Sequence, residues 1–319
     1  MTRFLVRRTL LGLVVMWLIT VAVFSLFFVA PNDVARTLAG RQATPDVIAS
    51  INERLGLSRP IWQQYLSFLG NALHGNLGYD YYHSVPVTTI IIQAVPITAS
   101  LAIGAAIIWL VLGVSSGIFS AIRPRTFADR SITGLALVFY SMPSFLLGVL
   151  LLYFFYFRLT LAGYPIFPAG GYVPLTQGVL PWAQHLVLPW ISLALLSAAI
   201  YTRLMRGSML DVLGEDFVRT ARSKGIREGR VIGLHAVRGA LTPVVTQFGI
   251  DLGTLIGGVV VTETVFSLPG LGYTAVNAIT QQDLPVIIGI VLFASAAVVG
   301  ANILVDIGYA LLDPRVRLH

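Results

Sequence analysis

The sequence predicts an all-α integral membrane protein with six membrane-spanning helices, and three observations carry that class. Of 319 residues, 56% are hydrophobic and only 11% are charged, against about 25% charged in a soluble domain. The apolar residues fall into runs long enough to cross a hydrocarbon core of about 30 Å. The basic residues gather in the short stretches between those runs, which divides the loops into two electrostatic sides.

Residues 9–30 are an apolar run behind Arg3, Arg7 and Arg8. A cleaved signal peptide has a shorter core, about 7–15 residues, so the run is read as an uncleaved first span with its amino end inside. Residues 32–93 form the one long polar segment, expected outside. Within it Thr44-Pro45-Asp46 predicts a helix start and Gly56 a stop. Pro60 opens a second helix with Trp62, Tyr65, Leu66 and Leu69 as an apolar stripe. His74 and His83, with Tyr79, Tyr81 and Tyr82 nearby, are read as packed loop side chains, because no metal-ligand spacing is defined.

Span 2 covers residues 97–121, and the turn after it carries Arg123, Arg125, Asp129 and Arg130. Span 3, residues 131–157, contains Ser141-Met142-Pro143-Ser144, where a missing amide permits a kink. Residues 159–184 form a Gly/Pro-rich external loop, and span 4 covers 186–201. Span 5, residues 240–263, is the least apolar, with Pro243, Gln247, Asp251, Thr254 and Gly258 on one helical face. Gln247, Asp251 and Thr254 are candidate translocation-pathway residues. An ionised side chain near the middle of a span costs about 2.5–3.5 kcal/mol, so Asp251 should face protein or water. Span 6, residues 285–312, carries Asp306 about one turn after Asn302, expected to be structural. On this topology sixteen basic residues lie inside and five outside, as the positive-inside rule requires, and both termini are cytoplasmic. The chain divides into residues 1–30 (start and span 1), 31–95 (external loop) and 96–319 (spans 2–6), with a cytoplasmic loop at 206–239.

Inside that loop Glu215 and Asp216 stand in front, with Arg222 and the sole lysine, Lys224, behind, the order that a helix dipole favours. Gly225 supplies a stop. A helix of about ten residues, roughly 15 Å long, is predicted outside the bilayer, with Phe217, Ala221 and Lys224 at i, i+4 and i+7 on one narrow face.

The run Asp216 to Gly225, DFVRTARSKG, followed by His235-Ala236-Val237-Arg238, resembles the coupling segment of permease subunits of bacterial ABC importers, in the peptide/nickel branch. The general form of that segment is E-A-A, three residues, G, nine residues and I-x-L-P. Here Ala221 and Gly225 fill the second A and the G. Arg219 and Thr220 replace E and the first A, while His235, Val237 and Arg238 stand where I, L and P would. Residues 55–78 resemble the B-type member of the paired peptide permeases, whose usual P-G-D appears as Pro31-Asn32-Asp33. Glu263-Thr264-Val265-Phe266 and Pro269-Gly270-Leu271-Gly272 are similar to the family's outer turn, and Leu312-Asp313-Pro314-Arg315 to its ending.

The resemblance implies the type I ABC importer fold, with six spans, a helical external loop and a cytoplasmic coupling helix. It implies a bacterial inner-membrane permease subunit forming half of a pathway for dipeptides and oligopeptides, with a nickel permease as the alternative. It also implies partners: a homologous second permease subunit, two cytoplasmic ATPase subunits or domains that bind ATP and Mg, and an extracytoplasmic substrate-binding protein. Asp216, Phe217, Arg219, Thr220, Ala221, Arg222, Ser223, Lys224 and Gly225 would couple to the ATPase. Glu263, Pro269 and Gly270 would build the outer turn. Asp251 would either line the cavity or hydrogen-bond in the contact with the second permease chain.

Other classes fit less well. Lys224 precedes Gly225, so the chain has no phosphate loop of the form G-x-x-x-x-G-K-[ST] and is read as no enzyme, with no cofactor of its own. Basic residues confined to short loops do not make a nucleic-acid face. An ion-coupled secondary transporter would show inverted repeats and buried midplane acids; one acid on span 5 and no visible repeat give that class little. With no cysteine there is no disulfide framework and no thiolate metal site.

Overall fold

The computed structural model describes residues 2–26, 44–45 and 59–312, the side chains of 2–5, 252–254, 256–258 and 306–312 excepted. The expectations at Pro31-Asn32-Asp33, at Asp46 and Gly56 and at Asp313-Pro314-Arg315 lie outside the described residues, as do the side chains of Thr254 and Asp306. The described elements are helices: α1 (Thr2–Phe24), α2 (Ile61–Leu73), α3 (Val87–Ile122), α4 (Phe127–Ser141), α5 (Ser144–Leu151), α6 (Val179–Leu213), α7 (Asp216–Ser223), α8 (Val237–Val265), α9 (Leu271–Gln281) and α10 (Leu284–Leu312). Among the described residues, Val6–Phe24, Val87–Ile122, Ser144–Leu161, Val179–Leu213 and Leu284–Val305 are long and apolar enough to cross a membrane.

Three differences from the sequence expectation have physical causes. Span 3 is two helices rather than one kinked helix. Met142 and Pro143 take extended ψ values of 135° and 136°, because Pro143 has no amide to continue the ladder. Its carbonyl instead starts α5 by accepting from Leu146 and Leu147. Span 4 is longer than the apolar run, because α6 continues through Arg203, Arg206 and Asp211. Charge ends an apolar window without ending a helix. At 35 residues, α6 is about 52 Å long and outreaches a hydrocarbon core by several turns. Finally, the stripe expected on α2 divides. Trp62 and Leu66 are exposed, whereas Phe68 and Ala72 pack on the α1/α10 core and Tyr65 shares a hydrogen bond of 2.9 Å with Thr20.

The chain forms two compact units. The first holds residues 1–94 and 274–319, in which α1 packs along α10 and Val23, Ile288 and Leu292 form the buried centre. The second holds residues 95–273 and is built on α6, which packs against α4, α5 and α8. Its largest buried cluster includes Trp109, Tyr201, Met205, Met209, Ala240 and Val244. Close approach of α3 to α6 depends on Gly113 and Gly117. A Cβ on these would lie 2.5 Å from that of Tyr201 and 2.7 Å from that of Met205. Small residues four apart let helix backbones meet in this way. The run Gly113-Val114-Ser115-Ser116-Gly117 has the lettering of a hydrolase elbow, but that motif needs a strand-to-helix turn and this one lies inside α3.

Candidate functional site

The segment expected to couple, residues 214–236, is a folded unit packed on the end of α6. Glu215 breaks from α6 in an extended conformation (ψ 150°) and α7 begins at Asp216. The helix stops in the way Gly225 predicts. Gly225 takes φ +72°, its amide donates to Arg222 O at 2.9 Å, and the Ile226 amide donates to Ala221 O at 3.3 Å. This pairing satisfies carbonyls that a helix end otherwise leaves open, with an apolar contact from the residue that follows. Val218, Ala221 and Val231 are buried and pack with Val212, Leu213 and Ile226. A small apolar core thus fastens α7 to the last turn of α6.

This arrangement divides the predicted coupling residues. Asp216, Phe217, Arg219, Thr220, Arg222, Ser223, Lys224 and Gly225 are exposed. Ala221, only 6% exposed, faces the chain's own core, so the narrow face expected from Phe217, Ala221 and Lys224 is not one surface. Phe217 stands 48% exposed, an aromatic ring on the otherwise polar exposed side of the helix. Arg222 Nη2 reaches Glu228 Oε1 at 2.8 Å, and this hydrogen-bonded pair raises the pKa of the arginine and lowers that of the glutamate. The chain then makes a π-helical turn from Val231 to Ala236 before α8, a form that often marks functional sites.

Asp251 on α8 meets a partner the sequence did not suggest. Tyr201 Oη donates to its Oδ2 at 2.7 Å and Gln247 Nε2 to its Oδ1 at 2.8 Å. The i, i+4 spacing of Gln247 and Asp251 was legible. Tyr201, wholly buried on α6, was not, because an aromatic in an apolar run carries no sign of the partner its hydroxyl takes. Trp109 packs beside both, 6.3 Å from the Tyr201 ring and 6.4 Å from Phe248.

The turn between α8 and α9, expected on the outer side, closes on Glu263. This carboxylate is wholly buried. Thr98 donates to Oε1 at 2.6 Å, and the Gly272 and Tyr273 amides donate to Oε2 at 2.8 and 3.0 Å. The Leu271 amide donates to Thr98 Oγ1 at 2.8 Å. A negative group thus sits at the positive N-terminal end of α9. A Cβ on Gly270 would collide with the same carboxylate, which explains the glycine after Pro269.

In the first unit, the loop after Gly78 docks on the corner between α9 and α10. Tyr82 Oη donates to Gln281 O at 2.5 Å and the Tyr81 amide to Asp283 Oδ2 at 3.3 Å. Asp80 accepts from the Tyr82 amide at 2.7 Å and pairs with His83 Nδ1 at 2.6 Å. Burial and then the neighbouring Asp80 push Asp283 up to about 6. Burial opposes ionisation of Asp80 too, but hydrogen bonds from Asp283, the Tyr82 amide and His83 outweigh it and hold Asp80 at about 2. His74 turns away to the Gly70 carbonyl at 2.7 Å. Among the described residues, no cluster of three or more metal-binding side chains forms.

Residues 113–318 match the family described as binding-protein-dependent transport system inner membrane component, and residues 1–102 match its N-terminal companion. The chain is 38% identical to a probable peptide ABC transporter permease protein of Sinorhizobium fredii, covering 98% of this chain and 99% of the relative. It is 39% identical to a putative peptide transport system permease protein of Brucella abortus, covering 99% of each. With the dipeptide transport system permease protein DppB of Escherichia coli it shares 36% identity over 99% of each chain. A full-length match and a helical architecture with apolar spans agree: the chain belongs to the binding-protein-dependent transport system inner membrane component family.

Proposed function

We propose that this chain is the permease subunit of an ATP-driven peptide importer and forms half of the pathway for dipeptides and oligopeptides. The observation that carries the reading is end-to-end similarity, 38% identity over 98% of the chain, to a relative named as a peptide permease. The geometry supports the division of labour. Helix α7 is fastened to α6 by Val218 and Ala221 and leaves Phe217, Arg219, Thr220, Ser223 and Lys224 outward, as a docking surface for a cytoplasmic ATPase requires.

In this reading the partners are a homologous second permease subunit, two ATPase subunits or domains that supply ATP and Mg, and an extracytoplasmic binding protein. Both termini and α7 face the cytoplasm in the inner membrane, residues 31–95 form the external loop and residues 96–319 the permease core. When the ATPase pair closes on ATP, it draws α7 with it. Because α6 leads into α7 and α8 leaves the same segment, both helices tilt and re-aim the cavity. A contact whose strength depends on the partner's nucleotide state is what shifts such an equilibrium. Gln247 and Asp251 border the pathway where α6 and α8 are tied, and Thr254 continues their helical face.

The test is uptake of radiolabelled dipeptide by native-host cells lacking this gene, with nickel uptake measured in parallel. Loss of dipeptide uptake, restored by the gene on a plasmid, is the expected result. Undiminished dipeptide uptake with loss of nickel uptake would replace the peptide reading by the nickel one.

A further inference from the structure

Near the foot of α6 lies a polar contact that the coupling reading leaves unused. Arg206 Nε is 2.7 Å from Asp129 Oδ1 and its Nη2 is 2.9 Å from Asp129 Oδ2, a two-pronged pair. Asp129 stands in the first turn of α4. Its side chain is 5% exposed and that of Arg206 is 29% exposed, so solvent screens the contact poorly. The same carboxylate also accepts from the Ser120 hydroxyl on α3, and from the Arg125 amide at 2.8 Å. Arg125 itself takes φ +64°, the turn conformation that aims its amide at Asp129. Arg206 Nε also reaches Ser120 Oγ at 3.1 Å. Three helices, α3, α4 and α6, therefore converge on one carboxylate whose acceptors are filled.

One turn away along the α3/α6 pair, Ser116 and Thr202 share a hydrogen bond of 2.7 Å. Beside it Gly117 brings the backbones together. The contacts of 116 with 202 and of 120 with 206 advance by four residues on both helices, so α3 and α6 are in register through this stretch. Of these polar contacts, the one at Asp129 adds α4, which also packs along α6 and receives Arg203 over its Tyr140 ring. A planar guanidinium gripping a carboxylate at two points sets direction as well as distance.

We propose that Asp129 and Arg206 are positioning residues of the transport cycle: they lock the α3/α4 corner to the foot of α6, so that a pull on α7 swings three helices as one body. The inference rests on the coupling reading of α7. Leu213 ends α6 directly before the coupling helix, so force applied at α7 reaches Arg206 along one continuous helix. Without the latch, α4 still packs along α6, but the start of α4 loses its directional hold and the α3/α4 corner lags when α6 moves.

The experiment uses the whole importer in proteoliposomes. The chain has no cysteine, so Phe127→Cys and Asp211→Cys, both at exposed sites, can carry a pair of spin labels at the ends of α4 and α6. In the parent, the label spacing should stay constant when ATP is added. With Asp129→Asn, the spacing should broaden and change with ATP. ATP hydrolysis should continue in that variant, while peptide delivered per ATP falls about tenfold, within the usual span of coupling strengths. Asp129→Glu should recover most of the delivery, which a purely structural defect would not. Should the Asn variant fail to insert, Arg206→Lys, which loses one prong of the pair, carries the same expectations. Unchanged delivery per ATP in Asp129→Asn would overturn the proposal. So would a label spacing that already follows nucleotide in the parent, or an Asp129→Glu importer as impaired as the Asn one. Failure of the coupling reading would show separately, as full ATPase retention and transport after Phe217→Ala, and would remove the latch's purpose with it.

Discussion

The hydroxyl of Tyr201 on α6 lies 2.7 Å from Asp251 Oδ2 on α8, joining the helix that leads into α7 to the helix that follows it. Gln247 holds the other oxygen. Asp251→Asn keeps the shape and lets the amide exchange hydrogen bonds with both neighbours, so assembly and resting ATP hydrolysis should persist. If Asp251 borders the pathway, uptake of cationic peptides should fall severalfold relative to neutral ones. Tyr201→Phe should act differently. It removes a hydrogen bond to a charged group, worth about 1.5–3 kcal/mol, and should lower the melting temperature of the purified complex without altering preference for peptide charge. Competition assays with neutral and cationic peptides measure the first effect and thermal unfolding the second.

Glu263 and Gly270 should fail for opposite reasons. Glu263→Ala leaves Thr98 and the Gly272 and Tyr273 amides without their acceptor, and each buried donor left unmet costs about 1–3 kcal/mol. Gly270→Ala drives a methyl into that carboxylate, an overpacking of about 1–3 kcal/mol. Glu263→Gln retains an oxygen for the amides and should be the mildest of the three. Thermal unfolding in detergent ranks them.

Much of this was legible in the chain and some was not, for identifiable reasons. The helix α7 could be read because its signals are local: acids in front, bases behind and a glycine at the stop. The Glu263 turn was legible as a motif, yet its anchor Thr98 lies 165 residues away and nothing near Thr98 marks it. Ala221 was misplaced onto the outward face because one helical turn cannot reveal which side its own chain will cover. The Arg206 contact was hidden because the apolar run ends before it and the helix does not. Span 3 was read as one helix because a proline in an apolar run looks the same whether it bends the helix or divides it.

The two faces of α7 give a paired test of the coupling reading. Phe217→Ala removes an exposed ring, which should change stability by no more than about 0.5 kcal/mol while reducing the ATPase that co-purifies and the transport rate. Ala221→Trp instead overfills the pocket formed with Val212, Leu213, Ile226 and Val231. It should cost about 1–3 kcal/mol and lower the yield of folded protein before any effect on docking is seen. Co-purification yields normalised to inserted permease separate the two.

The proposed orientation rests on the division of basic residues between loops. Ser84 and Ser223 are both exposed, and in a cysteine-free chain each can be replaced singly by cysteine. An impermeant thiol reagent should label Ser84→Cys in intact cells and Ser223→Cys only in inverted vesicles. The reverse at either position would contradict a cytoplasmic coupling helix.

The loop that docks on the α9/α10 corner should respond to pH, with the sign set by Asp283 and Asp80. Asp283 has its pKa raised from 3.8 to about 6 by burial and by Asp80, so the folded loop holds that proton more tightly than the unfolded chain does. A raised group contributes stability that is fully present below its unfolded value and is lost as pH climbs through its folded value. Asp80 works the other way. Held at about 2, it contributes above its unfolded value, and that contribution disappears only as pH falls through about 2. Docking should therefore be firmest at about pH 4 and loosen progressively as pH rises to about 6 and beyond, when a second negative charge forms beside Asp80. Tyr81, pushed up to about 12 by burial and then by Asp283, stays neutral throughout this range. Hydrogen exchange of the Tyr81 amide, which donates to Asp283, should be slower at about pH 5 than at about pH 8 after correction for intrinsic rates. Asp283→Asn should flatten most of that difference. A Tyr81 amide equally protected at both pH values in the unmodified protein would contradict the assignment of the shared proton.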